Sequence, residues 1–340
     1  MQYLNKYVDK NQCIMNPEDF SSYSKGHIIT VNTTMKKLID LCIRIAKSEA
    51  SVLISGSSGV GKEMFAELIH NSSLRSDKPF VKLNCAAIPE NLMESEFFGY
   101  EPGAFTGAGR NGKKGLIEMA EQGTLFLDEV GEMPLSLQSK MLRVLQDGKF
   151  FKIGGNKEIS TDVRIVCATN KDLHQMIAQG SFREDLYFRL NVIPVHIPPL
   201  KDRLDDVPIL ALYFLDCFCK QYNISKYFTL RLMKQLLNSS WEGNVRELRN
   251  TVERLVLISL QDVIDVEDLE YADFASKRYD VISKTAANII DEESTGTLKE
   301  IIGKYEISII QKAVKKYGSI RKAAKALDVD PSTLSRKLGK

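Results

Sequence analysis

A chain of 340 residues predicts two or three domains at roughly 100–200 residues each, and 26% charged with 44% hydrophobic residues excludes a wholly disordered or collagen-like polymer. The net charge of +2 hides an asymmetry: residues 299–340 carry 11 basic and 4 acidic side chains, whereas the first 298 carry 35 and 40. Six cysteines without a CxxC pair and four histidines without an HxxxH pair argue against a Cys/His metal centre, and they fit reduced thiols packed as small hydrophobes in a cytoplasmic protein.

Residues 1–23, polar and aperiodic, form a short N-terminal segment, and MQYLNKYVDKNQ lacks the basic-then-apolar pattern of a signal peptide. From 34 to 47 apolar residues recur at Met35, Leu38, Ile39, Cys42 and Ile45, a helical stripe. Short apolar runs at 52–54, 80–83, 125–127, 164–168 and 192–197, separated by helical patterns, predict buried strands of a parallel α/β sheet within residues 24–200. Pro198-Pro199 ends that layer, because a residue before proline is pushed out of helical geometry. Residues 201–270 read as a small subdomain, helical throughout from Asp205 to about Leu269. Residues 271–297 read as a linker, and 298–340 as a last helical block. No stretch approaches the roughly 18 apolar residues that span a bilayer, so no membrane role is expected.

The first strand runs into GSSGVGK, in which Gly56, Ser57, Ser58, Gly59, Val60, Gly61 and Lys62 have the spacing of a phosphate-binding loop, and a helical pattern follows at 63–70. The glycines let backbone N–H groups and the helix N-terminus surround phosphates, while the lysine reaches the terminal ones. Glu63 stands where a Ser or Thr usually touches Mg²⁺. TLFLDE places Asp128 and Glu129 at the carboxyl end of a buried strand, where α/β sheets bind ligands. Asp128 is assigned to Mg²⁺ and Glu129 to the attacking water of ATP hydrolysis; a solvated acidic turn is the alternative.

Between these halves, FFGYEPGAFTGAGRNGKKG (97–115) carries six glycines around Phe105 and Thr106, too many for a stable helix. Phe105 either anchors the loop in the core or offers an apolar tip to another protein.

GSSGVGKE, LNCAAIPENLMESEFFGYEPGAFTGA, GTLFLDEVGEMP, RIVCATN, FREDLYFRLNVIPVHIPPL and WEGNVRELRN occur in that order, and together they resemble the sigma-54-dependent transcriptional activators, the bacterial enhancer-binding proteins. The resemblance covers about residues 24–270, with the tail resembling their helix-turn-helix. It implies an AAA+ P-loop ATPase with a parallel sheet, a helical lid subdomain and a C-terminal all-α DNA-binding domain. It also implies a homo-oligomeric ring, hexameric in the family, that uses ATP and Mg²⁺ to remodel sigma-54 RNA polymerase from an upstream DNA site.

Residue by residue, the resemblance implies that Gly103, Ala104, Phe105, Thr106, Gly107 and Ala108 contact sigma-54. Asn84 would hold Glu129 from water until the γ-phosphate is sensed, and Thr169 and Asn170 would be that sensor. Arg183 and Arg189 would be arginine fingers inserted into the neighbouring subunit's site, and Arg246 would touch nucleotide from the lid. The family writes GKE, which accounts for Glu63. Two departures are visible: Glu242 replaces the usual proline of W-P-G-N, and Ser57 stands where Glu is frequent.

In the tail, GSIRKAAKALDVDPSTLSRKL predicts helices at 320–327 and 331–338 around a tight turn, with Asp330 as N-cap and Pro331 at the first helical position. Ser332, Thr333, Ser335, Arg336 and Lys337 would face bases and phosphates of double-stranded DNA, and Asp328 would take the left-handed turn position. A DNA-binding regulator with a vestigial ATPase, acting by occupancy, is the alternative. The 23 residues before the ATPase leave no room for a receiver or sensing domain, so regulation is expected to come from a separate protein or to be absent, or an ancestral sensor has been lost.

Overall fold

The computed structural model describes residues 13–14, 20–25, 28–104, 109, 111–271 and 298–338. Two units, 1–269 and 270–340, are compact by themselves.

The centre of the first unit is an all-parallel sheet of five strands: β1 (Val52–Ser55), β2 (Phe80–Asn84), β3 (Thr124–Asp128), β4 (Arg164–Thr169) and β5 (Ile193–His196), in the order β5-β1-β4-β3-β2. Alternate side chains serve opposite faces, as a period of two requires. Leu53, Leu125, Leu127, Ile165 and Cys167 enter one buried cluster, and Val52, Ile54, Phe126, Val166 and Ala168 the other. Burial on both faces is why these strands read as unbroken apolar runs. Helices Thr33–Ala46 and Lys62–Asn71 cover the second face, while Glu90–Phe98 and Leu135–Asp147 cover the first. Phe97 and Phe98 are buried on that first face, each contributing about 1.5–3 kcal/mol.

The register decides where chemistry collects. Ser55 pairs with Thr169 and Asn84 with Asp128 across the ladder, so the carboxyl ends of four strands lie in one row. Arg164, buried at the opposite end of β4, donates to the carbonyls of Ala46 at 2.6 Å and Ile45 at 3.1 Å, closing the C-terminus of helix Thr33–Ala46 with a cation.

Helices Asp206–Tyr222, Leu230–Leu237 and Asn244–Ile258 form the lid. The expectation that this region is helical throughout is corrected: Tyr227–Thr229 is a strand, pairing antiparallel with Cys13–Ile14 and parallel with Val263–Ile264. Residues so short show no period, and their partners lie far off in sequence. The N-terminal segment therefore supplies a strand to the lid. Buried Lys226 holds the return loop by donating to Ser259 O at 2.9 Å and Gln261 O at 2.5 Å.

The base of the glycine-rich loop is tied to the hairpin Lys149–Phe151/Glu158–Ser160. Tyr100 bridges Ile153, and Glu101 N–H donates to Ile153 O at 3.0 Å. Gly154, at φ +72°, leaves room for Ala104, whose Cβ would lie 2.7 Å from any Cβ at 154. Phe105, Thr106, Gly107 and Ala108 lie outside the described residues.

In the second unit, Leu298–Tyr317, Ile320–Ala326 and Pro331–Lys337 are helices packed through Ile310, Ala313, Ala323, Ala324 and Leu334. Asp328 has φ +51° and the Asp330 carboxylate accepts the Ser332 N–H at 2.8 Å, the turn and cap chemistry read from the sequence. No described helix is long and apolar enough to cross a membrane.

Candidate functional site

The loop after β1 is closed by its own lysine. Lys62 Nζ donates to Gly56 O at 2.9 Å and Ser57 O at 3.4 Å, and lies 3.8 Å from Glu129 Oε1. Burial lowers its pKa, and the charges of Glu129 and Asp128 raise it in opposition. A buried ammonium resting on carbonyls is poised for a better anion. Gly61, at φ +102°, meets nothing within 4 Å where a Cβ would project, so the cradle is open for phosphate oxygens.

Glu129 has the left-handed backbone at φ +52°, which turns its carboxylate back over the row of strand ends. Its Oε2 accepts the Asn170 N–H at 3.2 Å. Asp128 Oδ1 accepts the Glu129 N–H at 3.0 Å, and no cation pairs with Asp128 among the described residues. One carboxylate at the phosphate loop suits Mg²⁺, which keeps waters and takes its other oxygens from phosphates. Among the described residues no group of His, Cys, Asp and Glu side chains could hold a metal by itself. Glu63 pairs with Lys82 at 2.9 Å in the first helical turn, where negative charge suits the dipole.

Thr169 is buried, its hydroxyl accepting the Lys171 N–H at 3.0 Å, and its carbonyl accepts the Gly56 N–H at 3.3 Å. Asn84 is not brought to Glu129: its Oδ1 accepts the Ala86 N–H at 2.9 Å, capping its own turn. Arg183 and Arg189 flank the exposed face of helix Glu184–Leu190. The Arg183 guanidinium is held by Asp185 at 2.7 and 3.0 Å and by Ser139 Oγ at 3.2 Å.

The lid reaches the phosphate loop directly. Arg246 donates to Ser58 Oγ at 3.0 Å and its N–H to Gly59 O at 3.3 Å; Asn244 Nδ2 donates to Ser58 O at 2.9 Å. Gly59, at φ +77°, is obligatory: a Cβ there would stand 2.3 Å from the Gly243 carbonyl oxygen. The Asn244 Oδ1 also accepts the Leu200 N–H at 2.8 Å, so this residue of the W-E-G-N motif fastens three segments although the sequence reading gave a role only to Arg246. Glu242 in place of proline leaves the turn intact, since Gly243 N–H is bound by Glu247 Oε2 at 2.8 Å.

The sequence reading missed an apolar cavity of about 360 Å³ beside the loop, between Ile28, Ile29, Val60, Phe65 and the lid residues Tyr213 and Phe214. Arg203 also lines it, donating to Val60 O at 3.0 Å and lying 3.7 Å from the buried Asp206 carboxylate. Aromatic and aliphatic walls of this volume suit a planar ring. Burial pushes the Cys42 and Cys85 thiols up to about 12, which leaves them as packed hydrophobes rather than nucleophiles.

The phosphate loop, acidic strand end, polar strand tip and lid arginine together define a P-loop ATPase-type protein of the AAA+ class. Three family models match along the chain: the Sigma-54 interaction domain at 28–196, the AAA+ ATPase lid domain at 201–282 and a helix-turn-helix domain at 295–340. The chain belongs to the family of sigma-54-dependent transcriptional regulators, with a DNA-binding helix-turn-helix. It is 49% identical over 250 residues to the regulatory protein AtoC of Escherichia coli K12, which covers 73% of this chain and 54% of AtoC. It is 43% identical over 298 residues to an uncharacterized protein in the HyuA 5' region of Pseudomonas sp. NS671, covering 88% and 99%. A structure of NtrX from Brucella abortus in complex with ADP superposes with a TM-score of 0.72 at 33% identity, over 94% of this chain and 69% of that one. The chain thus spans about half the length of AtoC.

Proposed function

We propose that the protein is a ring-forming ATPase that binds ATP with Mg²⁺ and spends hydrolysis on remodelling sigma-54 RNA polymerase at promoters, from an upstream DNA site. The convergence of Lys62, Asp128, Glu129, Asn170 and Arg246 at one loop carries this reading. The adenine ring would occupy the apolar cavity, and NtrX, solved with ADP and with ATP, supports nucleotide binding by this architecture. Lys62 would exchange its carbonyl partners for phosphate oxygens, releasing Glu129 to orient water while Asp128 holds Mg²⁺. Thr169 and Asn170 would report the γ-phosphate. Arg183 and Arg189, exposed and apart from their own site, would act on a neighbour's phosphates, hence a ring, with six subunits by family resemblance. Asn84 would hold Glu129 only in another nucleotide state, after leaving its cap. The test of the whole reading is ATP-dependent open-complex formation by sigma-54 polymerase; stable occupancy of DNA without ATP turnover would favour the vestigial alternative.

Residues 103–108 would form the sigma-54 contact. Phe105→Ala and Thr106→Ala are expected to keep ATPase activity within about threefold of wild type while losing open-complex formation. Loss of both activities together would place Phe105 in the core.

DNA reading would fall to the helix Pro331–Lys337, paired with that of a second subunit. Ser332, Thr333 and Ser335 would meet bases, and Arg336 is exposed. Removing Lys322, Lys325 or Arg336 is expected to flatten the salt dependence of binding by about one unit. Lys337 is paired with Glu306, so Lys337→Ala is expected to flatten it less. Equal slopes for all four variants in a salt titration would overturn the assignment.

A further inference from the structure

Gln138 lies on helix Leu135–Asp147, fully buried, and its amide spends its hydrogen bonds on two segments that the site separates. Its Nε2 donates to Met133 O at 2.8 Å and to Ser181 O at 3.1 Å, while its Oε1 accepts the Arg183 N–H at 2.8 Å. Met133 closes the turn that begins at Glu129: Glu132 N–H donates to Glu129 O at 2.9 Å and Met133 N–H to Val130 O at 3.2 Å. Arg183 is the N-cap of helix Glu184–Leu190. The next residue, Ser139, takes the Arg183 guanidinium at 3.2 Å, so one helical turn holds the backbone of this arginine and shares its side chain with Asp185.

We propose that Gln138 is a positioning residue that fixes Arg183 relative to the turn carrying Glu129, and so determines whether a subunit can offer that arginine to its neighbour. This rests on the reading of Arg183 as acting in trans. In a dry interior such a fully engaged amide is stiff, since no water stands ready to replace a lost partner. Movement of the Glu129 turn is therefore passed to the Arg183 backbone across one side chain. The effect is on the arginine a subunit gives, and its own phosphate loop is left intact: none of the three bonds touches residues 56–62.

Gln138→Met keeps length and removes all three bonds. The expected result is an ATP dissociation constant within about twofold of wild type and turnover lower by about 10–100-fold, the scale of an ångström-sized misplacement of a catalytic group. Mixed rings supply the readout that a merely structural role would not move. Gln138→Met subunits mixed with Glu129→Gln subunits, which retain ATP and an intact Arg183, should regain hydrolysis. Mixed with Arg183→Ala subunits they should not, because neither then offers a placed arginine. Arg183→Ala mixed with Glu129→Gln is the control, with native Gln138 throughout. If the control gives no rescue, the trans reading fails and the proposal with it. If the control succeeds and Gln138→Met is rescued by both partners or by neither, the proposal alone is overturned. Gln138→Glu, which keeps the acceptor and loses both donors, passes through the same mixtures as a second variant; failure of both variants to bind ATP would make Gln138 a core residue only and overturn the proposal as well.

Discussion

Lys62→Ala is expected to abolish ATP binding, whereas Glu129→Gln is expected to bind ATP normally and lose turnover by about 10²–10⁴-fold, the usual worth of a positioned general base. The two residues touch, at 3.8 Å, yet the separation of effects follows from what each contributes. Lys62 is a buried cation whose hydrogen-bond acceptors are neutral carbonyls at 2.9 and 3.4 Å, with the Glu129 carboxylate farther off; a phosphate offers it full charge in direct contact, and without it the loop has only backbone N–H groups to set against the polyphosphate. Glu129 reaches that cluster from the other strand end and binds no loop amide, so its amide analogue leaves the cradle as it is. Calorimetry with ATP and a steady-state ATPase assay on the same preparations test this. Wild-type turnover in Glu129→Gln would remove Glu129 from the chemistry, and retained tight binding in Lys62→Ala would remove the lysine from the cradle.

The second large effect is on stability. Asp206→Ala is expected to destabilise the first unit by about 3–5 kcal/mol, the cost of stranding one member of a buried ion pair. The carboxylate accepts from Thr30 Oγ1 at 2.8 and 2.9 Å, Val31 N–H at 2.7 Å and Asn32 N–H at 3.0 Å, and faces Arg203 at 3.7 Å. Burial pushes its pKa up, and those three donors and the Arg203 charge pull it back. Its removal leaves the Arg203 guanidinium, 3% exposed and with an Nε already lacking a partner, without its ion-pair partner. Urea unfolding followed by the fluorescence of Trp241, the sole tryptophan and itself buried in the lid, reads the change. A loss below about 1 kcal/mol would mean that the pair does not fasten residues 30–32 to the lid.

The sheet was legible because parallel strands buried on both faces write themselves as short apolar runs, and Asp128 and Glu129 were legible because they end one of those runs. The tail helices were legible from Asp330, Pro331 and the alanines. Asp206, Arg203 and Gln138 were not: each has partners 43 to 176 positions away, and no local pattern marks a polar residue as buried. The strand at Tyr227–Thr229 was hidden for a related reason, since its pairing with Cys13–Ile14 is visible only once the chain has folded back. Asn84 shows the opposite limit. The motif around it is plain, yet its side chain caps the Ala86 N–H, and the contact with Glu129 expected from the resemblance is not made.

The contact at Gly59 makes the phosphate loop and the lid turn a single moving part. With 2.3 Å between a would-be Cβ and the Gly243 oxygen, no side chain stands between them as a cushion, and the bonds from Arg246 N–H to Gly59 O and from Asn244 to Ser58 O lash them together. A swing of the lid either carries residues 58–59 with it or snaps both lashings. Filling and emptying the cradle would thus be geared to any rotation of the lid, and a methyl group at residue 59 would jam the gear.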